Sequence, residues 1–252
     1  MQMVPAKKGP FPKRPYYELL EIEKICDEEL KSLGLFPASP CPVRIERFIE
    51  KRFGQSAEYE ILPPGVLGLT QFGVGGVEKI VVSKPLSEDR SKTAQRRVTT
   101  TLAHEVGHGL LHSHLFARDD SDQSLFLFEG HADVSRTQVL CRHEEEPEPS
   151  ISKVSTANGP IQIKSRYNGQ WWEFQANQAM GVLVLPRVLV MKLLGTNDFL
   201  LPIGSLGLKT LDEEKRDKAI MHVADVFDVN PVVARFRLAA LFPSENTKQL
   251  IL

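Results

Sequence analysis

The chain has 252 residues, 42% of them apolar and 25% charged, which suits a globular protein with one good core and room for a small appendage. Its net charge of −1 excludes a global field that would draw it to nucleic acid or to an acidic membrane. Three cysteines, Cys26, Cys41 and Cys141, form no paired pattern, which argues against a disulfide framework. No stretch approaches the ~20 apolar residues of a membrane span, and the N-terminus lacks the apolar centre of a signal peptide. The expectation is a cytoplasmic protein with no membrane partner.

Residues 1–14, rich in Pro and Lys, read as a loose tail. An amphipathic helix is expected from Tyr16 to Lys31, ending near Gly34, and a second from Val43 to Phe53, stopped by Gly54. Three strand signals follow: Tyr59–Leu62, Val66–Phe72 and Lys79–Ser83. The last two are joined by Gly73-Val74-Gly75-Gly76, which predicts a hairpin. That glycine run is not a nucleotide loop, because no helix follows it at the required spacing. Gly68, Leu69 and Thr70 are candidates for an edge strand that holds an extended peptide by strand addition; a plain structural strand is the other reading.

The most informative segment is His104-Glu105-Val106-Gly107-His108. Residues four apart share a helix face, so both imidazoles can ligate one Zn²⁺, while the glutamate between them can reach a water on that ion. The surroundings read as a buried helix, with Val98, Leu102, Val106 and Leu110 recurring every four residues. Thr99, Thr100 and Thr101 are weak interior helix formers, and any one of them could sit near the first turn as a cap. Gly107 and Gly109 each cost about 1 kcal/mol in a helix interior relative to alanine, which predicts a close backbone approach beside His108.

A catalytic zinc needs a third protein ligand. One candidate is Glu173, on a helix from Trp171 that stops at Pro186. Asn177 stands four residues on, placed to hydrogen-bond the far nitrogen of a ligating histidine. The rival is His114, six residues after His108, the metzincin offset; that pattern needs a glycine where this chain has Leu111. His112 is read as turned away from the ligand face, at a helix end or the surface. His131, Cys141 and His143 are irregularly spaced for a second zinc site, and coincidence is the simpler reading. The acidic run from His143 to Ser150 reads as an exposed loop, and His222 as a polar residue on a later helix.

Beyond Pro186 the pattern gives a short helix to Gly195, a loop, a helix from Leu211 to Phe227, a turn at Asp228-Val229-Asn230, and a final helix from Pro231 to Leu241. This is the outline of a helix-turn-helix. The last helix offers only Arg235 and Arg237, one of which must face the core, so packing is expected rather than direct nucleic-acid binding.

Taken together, Arg96 through His112, Glu173 through Asn177 and Leu183-Val184-Leu185-Pro186 resemble the ImmA/IrrE-type zinc metallopeptidases. Pro42 to Glu50 also looks like that family's N-terminal helix, and the likeness covers most of residues 15 to 243 outside the middle. The resemblance implies an α+β, zincin-like fold with a small mixed or antiparallel sheet packed on the motif helix, followed by a helical C-terminal region. It implies zinc on His104, His108 and Glu173, a gluzincin-like set, with Glu105 as general base. It further implies a narrow protein substrate, typically a DNA-bound repressor. The organisation expected is a tail over 1–14, a peptidase domain over 15–195 and a helical region over 196–252. His108 and Glu173 lie 65 residues apart, longer than this family leads one to expect, which places an insertion at about 115–168. An oxyanion donor is expected but not assigned; Tyr167 and the histidines of the insertion are possibilities. The alternative function is a zinc-containing regulatory or binding module that cleaves nothing, for instance a toxin or transcription-factor partner. The intact Glu105 argues against it, since a structural zinc site has no use for that carboxylate.

Overall fold

A computed structural model describes residues 2–5, 13–73, 75–116, 138–142, 171–203 and 208–243. The architecture is mixed α and β, as expected. Strands β1 (Gln2–Pro5) and β2 (Lys13–Tyr16) precede helices α1 (Leu19–Ser32) and α2 (Ile45–Phe53). Then come β3 (Glu58–Glu60), β4 (Val66–Gly73), β5 (Gly76–Ser83), α3 (Lys84–Glu88), α4 (Lys92–Leu111), α5 (Ser113–Phe116) and β6 (Gln138–Arg142). The chain continues with α6 (Trp171–Val184), α7 (Arg187–Thr196), β7 (Leu200–Ile203), β8 (Leu208–Leu211), α8 (Arg216–Val226) and α9 (Pro231–Leu241).

The main sheet runs in the order β3-β5-β4-β6. β4 and β5 form the expected antiparallel hairpin, with Leu69 opposite Val81 and Gly73 opposite Gly76. β3 joins β5 in parallel, and β6 lies antiparallel to β4 on its other side. The motif helix α4 packs against β4, β5 and α6. One apolar cluster runs from Ile22, Cys26 and Leu30 of α1 through Leu102 and Val106 of α4 and Leu183 of α6 to Ala234 and Leu238 of α9. The C-terminal helices therefore share the core that carries the motif.

Four sequence expectations change. Within the tail expected over 1–14, residues 2–5 and 13–14 are strand: β1 and β2 pair as an antiparallel ribbon, with Met3 opposite Pro15, and Tyr16 belongs to β2 rather than to the first helix. A two-stranded ribbon tolerates Pro because an outward position needs no N–H. The cap of α4 is Ser91, whose hydroxyl accepts from the Ala94 N–H at 3.2 Å. The three threonines lie two turns further in, and Thr100 bonds back to the Arg96 carbonyl at 3.1 Å. The region after α7 is not all loop: Leu200 pairs with Leu211 in a small hairpin that Pro202 and two flanking glycines had disguised. The helix expected from Leu211 accordingly begins at Arg216, after a 3₁₀ turn at Glu213–Lys215.

The final helix begins at Pro231 as expected, after Asp228 turns the chain at φ 51°. Its Arg237 is buried and ion-paired with Glu23 of α1 at 2.7 Å. Among the described residues no single helix is long and apolar enough to cross a membrane. His131, His143, Tyr167 and most of the expected insertion lie outside the described residues.

Candidate metal centre

The motif helix reaches the site because glycine lets two helices close on each other. A Cβ at Gly107 would meet the Ala176 carbonyl at 3.0 Å and the Ala179 methyl at 3.1 Å, both on α6. At Gly109 it would strike the Phe53 ring at 2.7 Å. The close approach expected from these two glycines is thus present. On α6, Glu173 and Asn177 share one flank, and Trp171 and Gln175, also four apart, share another.

Three side chains converge. His104 Nε2 lies 3.0 Å from His108 Nε2 and 3.0 Å from Glu173 Oε2. His108 Nε2 lies 3.5 Å from Glu173 Oε1. The Asn177 carbonyl oxygen accepts from His104 Nδ1 at 3.0 Å, which puts that ring's proton on Nδ1 and its lone pair on Nε2. Lone-pair atoms of two neutral rings and a carboxylate repel one another unless a proton or a metal cation stands among them. Tetrahedral zinc bonds of 2.0–2.1 Å separate neighbouring ligand atoms by about 3.3 Å, in line with these spacings. The cluster of His104, His108 and Glu173 can hold a metal ion. His114, the rival third ligand, is exposed on α5 and stands outside the cluster. α4 continues helically through Leu111, so the left-handed turn a metzincin needs does not form.

Glu105 points to the sheet side of α4. Thr70 donates its hydroxyl to Glu105 Oε2 at 2.6 Å, while Glu105 Oε1 is buried with no hydrogen-bond partner among the described residues. A Cβ at Gly68 would lie 2.8 Å from that Oε1 and 2.7 Å from Thr101, so only glycine admits the carboxylate there. Burial pushes the Glu105 carboxyl up to about 8; the nearby His104 and the Thr70 hydrogen bond offset it only in part. Burial also pushes Glu173 up, but His108 and His104, when protonated towards it, outweigh this and hold that carboxyl well below the usual range, the proton standing where a metal cation would. Glu173 is the partly exposed member of the cluster, at 18% of its side-chain area, whereas His104 and His108 are buried.

The strand-addition expectation for Gly68, Leu69 and Thr70 needs correction. β4 is interior: Gly68 faces Val82 on one side and Cys141 on the other, and Leu69 and Thr70 are likewise paired on both. No backbone edge is left for a peptide. Gly68 and Thr70 instead face Glu105, and Leu69 alternates to the opposite face of the strand. Among the described strands of this sheet, β6 carries the outer edge beside β4.

Sequence reasoning also misplaced His112. Its ring is fully buried, with Nδ1 3.0 Å from His108 Nδ1 and Nε2 3.0 Å from the Gln175 carbonyl oxygen. Trp171 presents its ring edge-on at 5.7 Å. Burial, helped by His108, lowers the His112 pKa to about 3, so the ring is neutral. The signal was in the spacing: 104, 108 and 112 form one stripe of four-residue steps. Gln175 gave no signal until α6 was placed against α4.

No family model and no curated protein matches the chain.

Proposed function

We propose that this protein is a zinc-dependent endopeptidase of the ImmA/IrrE type, with a zincin-like core, acting on a specific regulatory protein such as a DNA-bound repressor. The observation that carries the reading is the convergence of three lone pairs beside a buried carboxylate that keeps one oxygen unengaged. His104, His108 and Glu173 would hold the ion, and Asn177 orients the first of them. A zinc ion there would supply Lewis acidity towards a carbonyl oxygen and acidify a water.

The remaining work falls to this chain's own groups. Thr70 pins Glu105 Oε2, which leaves Oε1 as the atom that takes a proton from the attacking water. A carboxyl raised towards neutrality both accepts a proton and releases it, so the same group can protonate the departing amine. Gly68 keeps the space beside Oε1 clear. An extended substrate would pair with the outer edge of β6 rather than with β4.

The test uses the full chain, stripped with a chelator and reloaded. One zinc should bind per chain, and hydrolysis of sensitive proteins in a lysate should appear as new N-termini. Glu105→Gln should keep the zinc and lose about 10²- to 10⁴-fold in rate. Equal cleavage by the variant overturns the role of Glu105. Stoichiometric capture of a partner without cleavage, unchanged in Glu105→Gln, replaces the peptidase with a non-proteolytic zinc module.

A further inference from the structure

A line of buried hydrogen bonds runs from the metal cluster to the N-terminal ribbon, and its far end fixes the proton at every step. Gln175 Nε2 donates to the Pro15 carbonyl at 2.8 Å. A carbonyl can only accept, so the amide must present its NH₂ to Pro15 and its oxygen to His112. That oxygen lies 3.0 Å from His112 Nε2, which must then carry the proton. A neutral ring with its proton on Nε2 has a bare Nδ1. His112 Nδ1 lies 3.0 Å from His108 Nδ1, so His108 must donate across that gap. With its proton on Nδ1, His108 is left with its lone pair on Nε2, the atom facing His104 and Glu173. The assignment is made from Pro15 inwards and assumes nothing about a metal.

We propose that His112 is a positioning residue that, through Gln175 and the Pro15 carbonyl, holds His108 as its Nδ1–H tautomer and aims the Nε2 lone pair at the metal position. The use of that lone pair rests on the zinc reading above; the tautomer assignment does not. Asn177 does the same for His104 from the other flank of α6, so one helix orients both histidines. Trp171 packs its ring edge-on against the His112 ring at 5.7 Å and so limits its rotation. The N-terminal ribbon thereby becomes part of the site, since its β2 carbonyl is the one fixed acceptor in the line.

The experiment has two readouts on the full chain. Nitrogen-15 NMR of the histidine rings in the metal-free protein reads which nitrogen carries each proton; zinc affinity is read by chelator competition. The spectra should show His108 protonated on Nδ1 and His112 on Nε2. His112→Leu, which fills the space but accepts nothing, should weaken zinc binding about 10- to 100-fold. His112→Asn, whose carbonyl oxygen can stand where Nδ1 stood, should recover most of that loss. Gln175→Leu provides a second break in the line should His112→Leu fail to fold, and should also weaken zinc binding. A proton on His112 Nδ1 in the wild-type protein overturns the proposal, as does unchanged zinc affinity in whichever of the two leucine variants is folded. Absence of zinc binding by the wild-type protein overturns the metal reading, and the metal-free spectra then decide the tautomers on their own.

Discussion

Thr70 and Glu105, 35 residues apart, share a hydrogen bond of 2.6 Å that ties the middle of the sheet to the motif carboxylate. The neighbouring Gly68 leaves no room for a side chain, because its Cβ would lie 2.8 Å from Glu105 Oε1. Gly68→Ala should therefore displace Glu105 without touching His104, His108 or Glu173. The expected outcome is zinc affinity within about threefold of wild type and hydrolysis reduced by roughly the 10²- to 10⁴-fold that a general base contributes. Zinc titration and a cleavage assay on the same preparation check it. Equal loss of both functions would mean that strand and metal cluster are not separable in this way.

Burial gives the metal-free protein a distinctive pH dependence. Glu105 has its folded pKa raised to about 8 from an ordinary value of 4.5. Below pH about 4.5 it is protonated whether folded or unfolded, and its carboxyl costs nothing. As pH rises towards 8 the unfolded chain releases that proton while the folded one retains it, so stability is lost across this window. Glu105→Gln removes the titration. The variant's stability should exceed that of the wild type by a margin that widens between pH 5 and 8, at up to about 1.4 kcal/mol per pH unit, which appears as a growing gap in melting temperature. His112 acts in the opposite sense and lower down. Its folded pKa is depressed, so its contribution is intact above about 6.5 and falls as pH drops towards 3. Melting curves of the metal-free proteins at pH 5, 6, 7 and 8 test the claim, and a constant gap between variant and wild type would sink it.

How much of this could be read from the sequence depends on the range of the interaction concerned. His104, Glu105 and His108 were legible because a helix turn places them by spacing alone. Glu173 and Asn177 were legible by the same rule, within their own helix. The two glycines beside His108 announced a close neighbour but not its identity, and α6 supplied Ala176 and Ala179. What stayed hidden was set by strand order and by helix-helix contact. β4 reads as a strand either way, but only its pairing with β6 shows that its edge is closed. His112 sat on the ligand stripe, one turn beyond the motif, and read as a helix end because its partner Gln175 lies 63 residues away. The N-terminal ribbon was missed for the same reason: Lys13-Arg14-Pro15 looks solvated until the Gln175 amide is found on its carbonyl.

The two candidate third ligands give opposite expectations under mutation. Glu173 stands 3.0 Å from His104 Nε2, whereas His114 is exposed and apart. Zinc that binds only the folded chain stabilises it by mass action, about 2.7 kcal/mol at a hundredfold excess over its dissociation constant. Glu173→Ala should abolish most of the zinc-dependent rise in melting temperature, and His114→Ala should leave it intact. Asn177→Leu should fall between them, with affinity lower by about 10- to 100-fold, because it releases the His104 tautomer rather than removing a ligand. Differential scanning with and without zinc distinguishes the three variants. A normal zinc response in Glu173→Ala would remove that residue from the site.

The last helix offers a test of whether it serves the core or a nucleic acid. Arg237 is buried beside Glu23 at 2.7 Å and also donates from Nε to the Leu185 carbonyl at 3.0 Å. Glu23 in turn accepts from Arg187 at 2.7 Å, so α1, α7 and α9 meet at one carboxylate. A guanidinium enclosed in this way is engaged with protein and cannot reach a phosphate. Glu23→Leu would leave that cation buried and uncompensated, at a cost of about 3–5 kcal/mol. Adding Arg237→Met removes the stranded charge and should restore most of the loss, short of about 1 kcal/mol for the Leu185 carbonyl that loses its donor. Urea unfolding of the single and double variants measures both numbers. If α9 instead served mainly to bind nucleic acid, Glu23→Leu would cost under 1 kcal/mol, and Arg237→Met would weaken nucleic-acid retention without changing the urea midpoint.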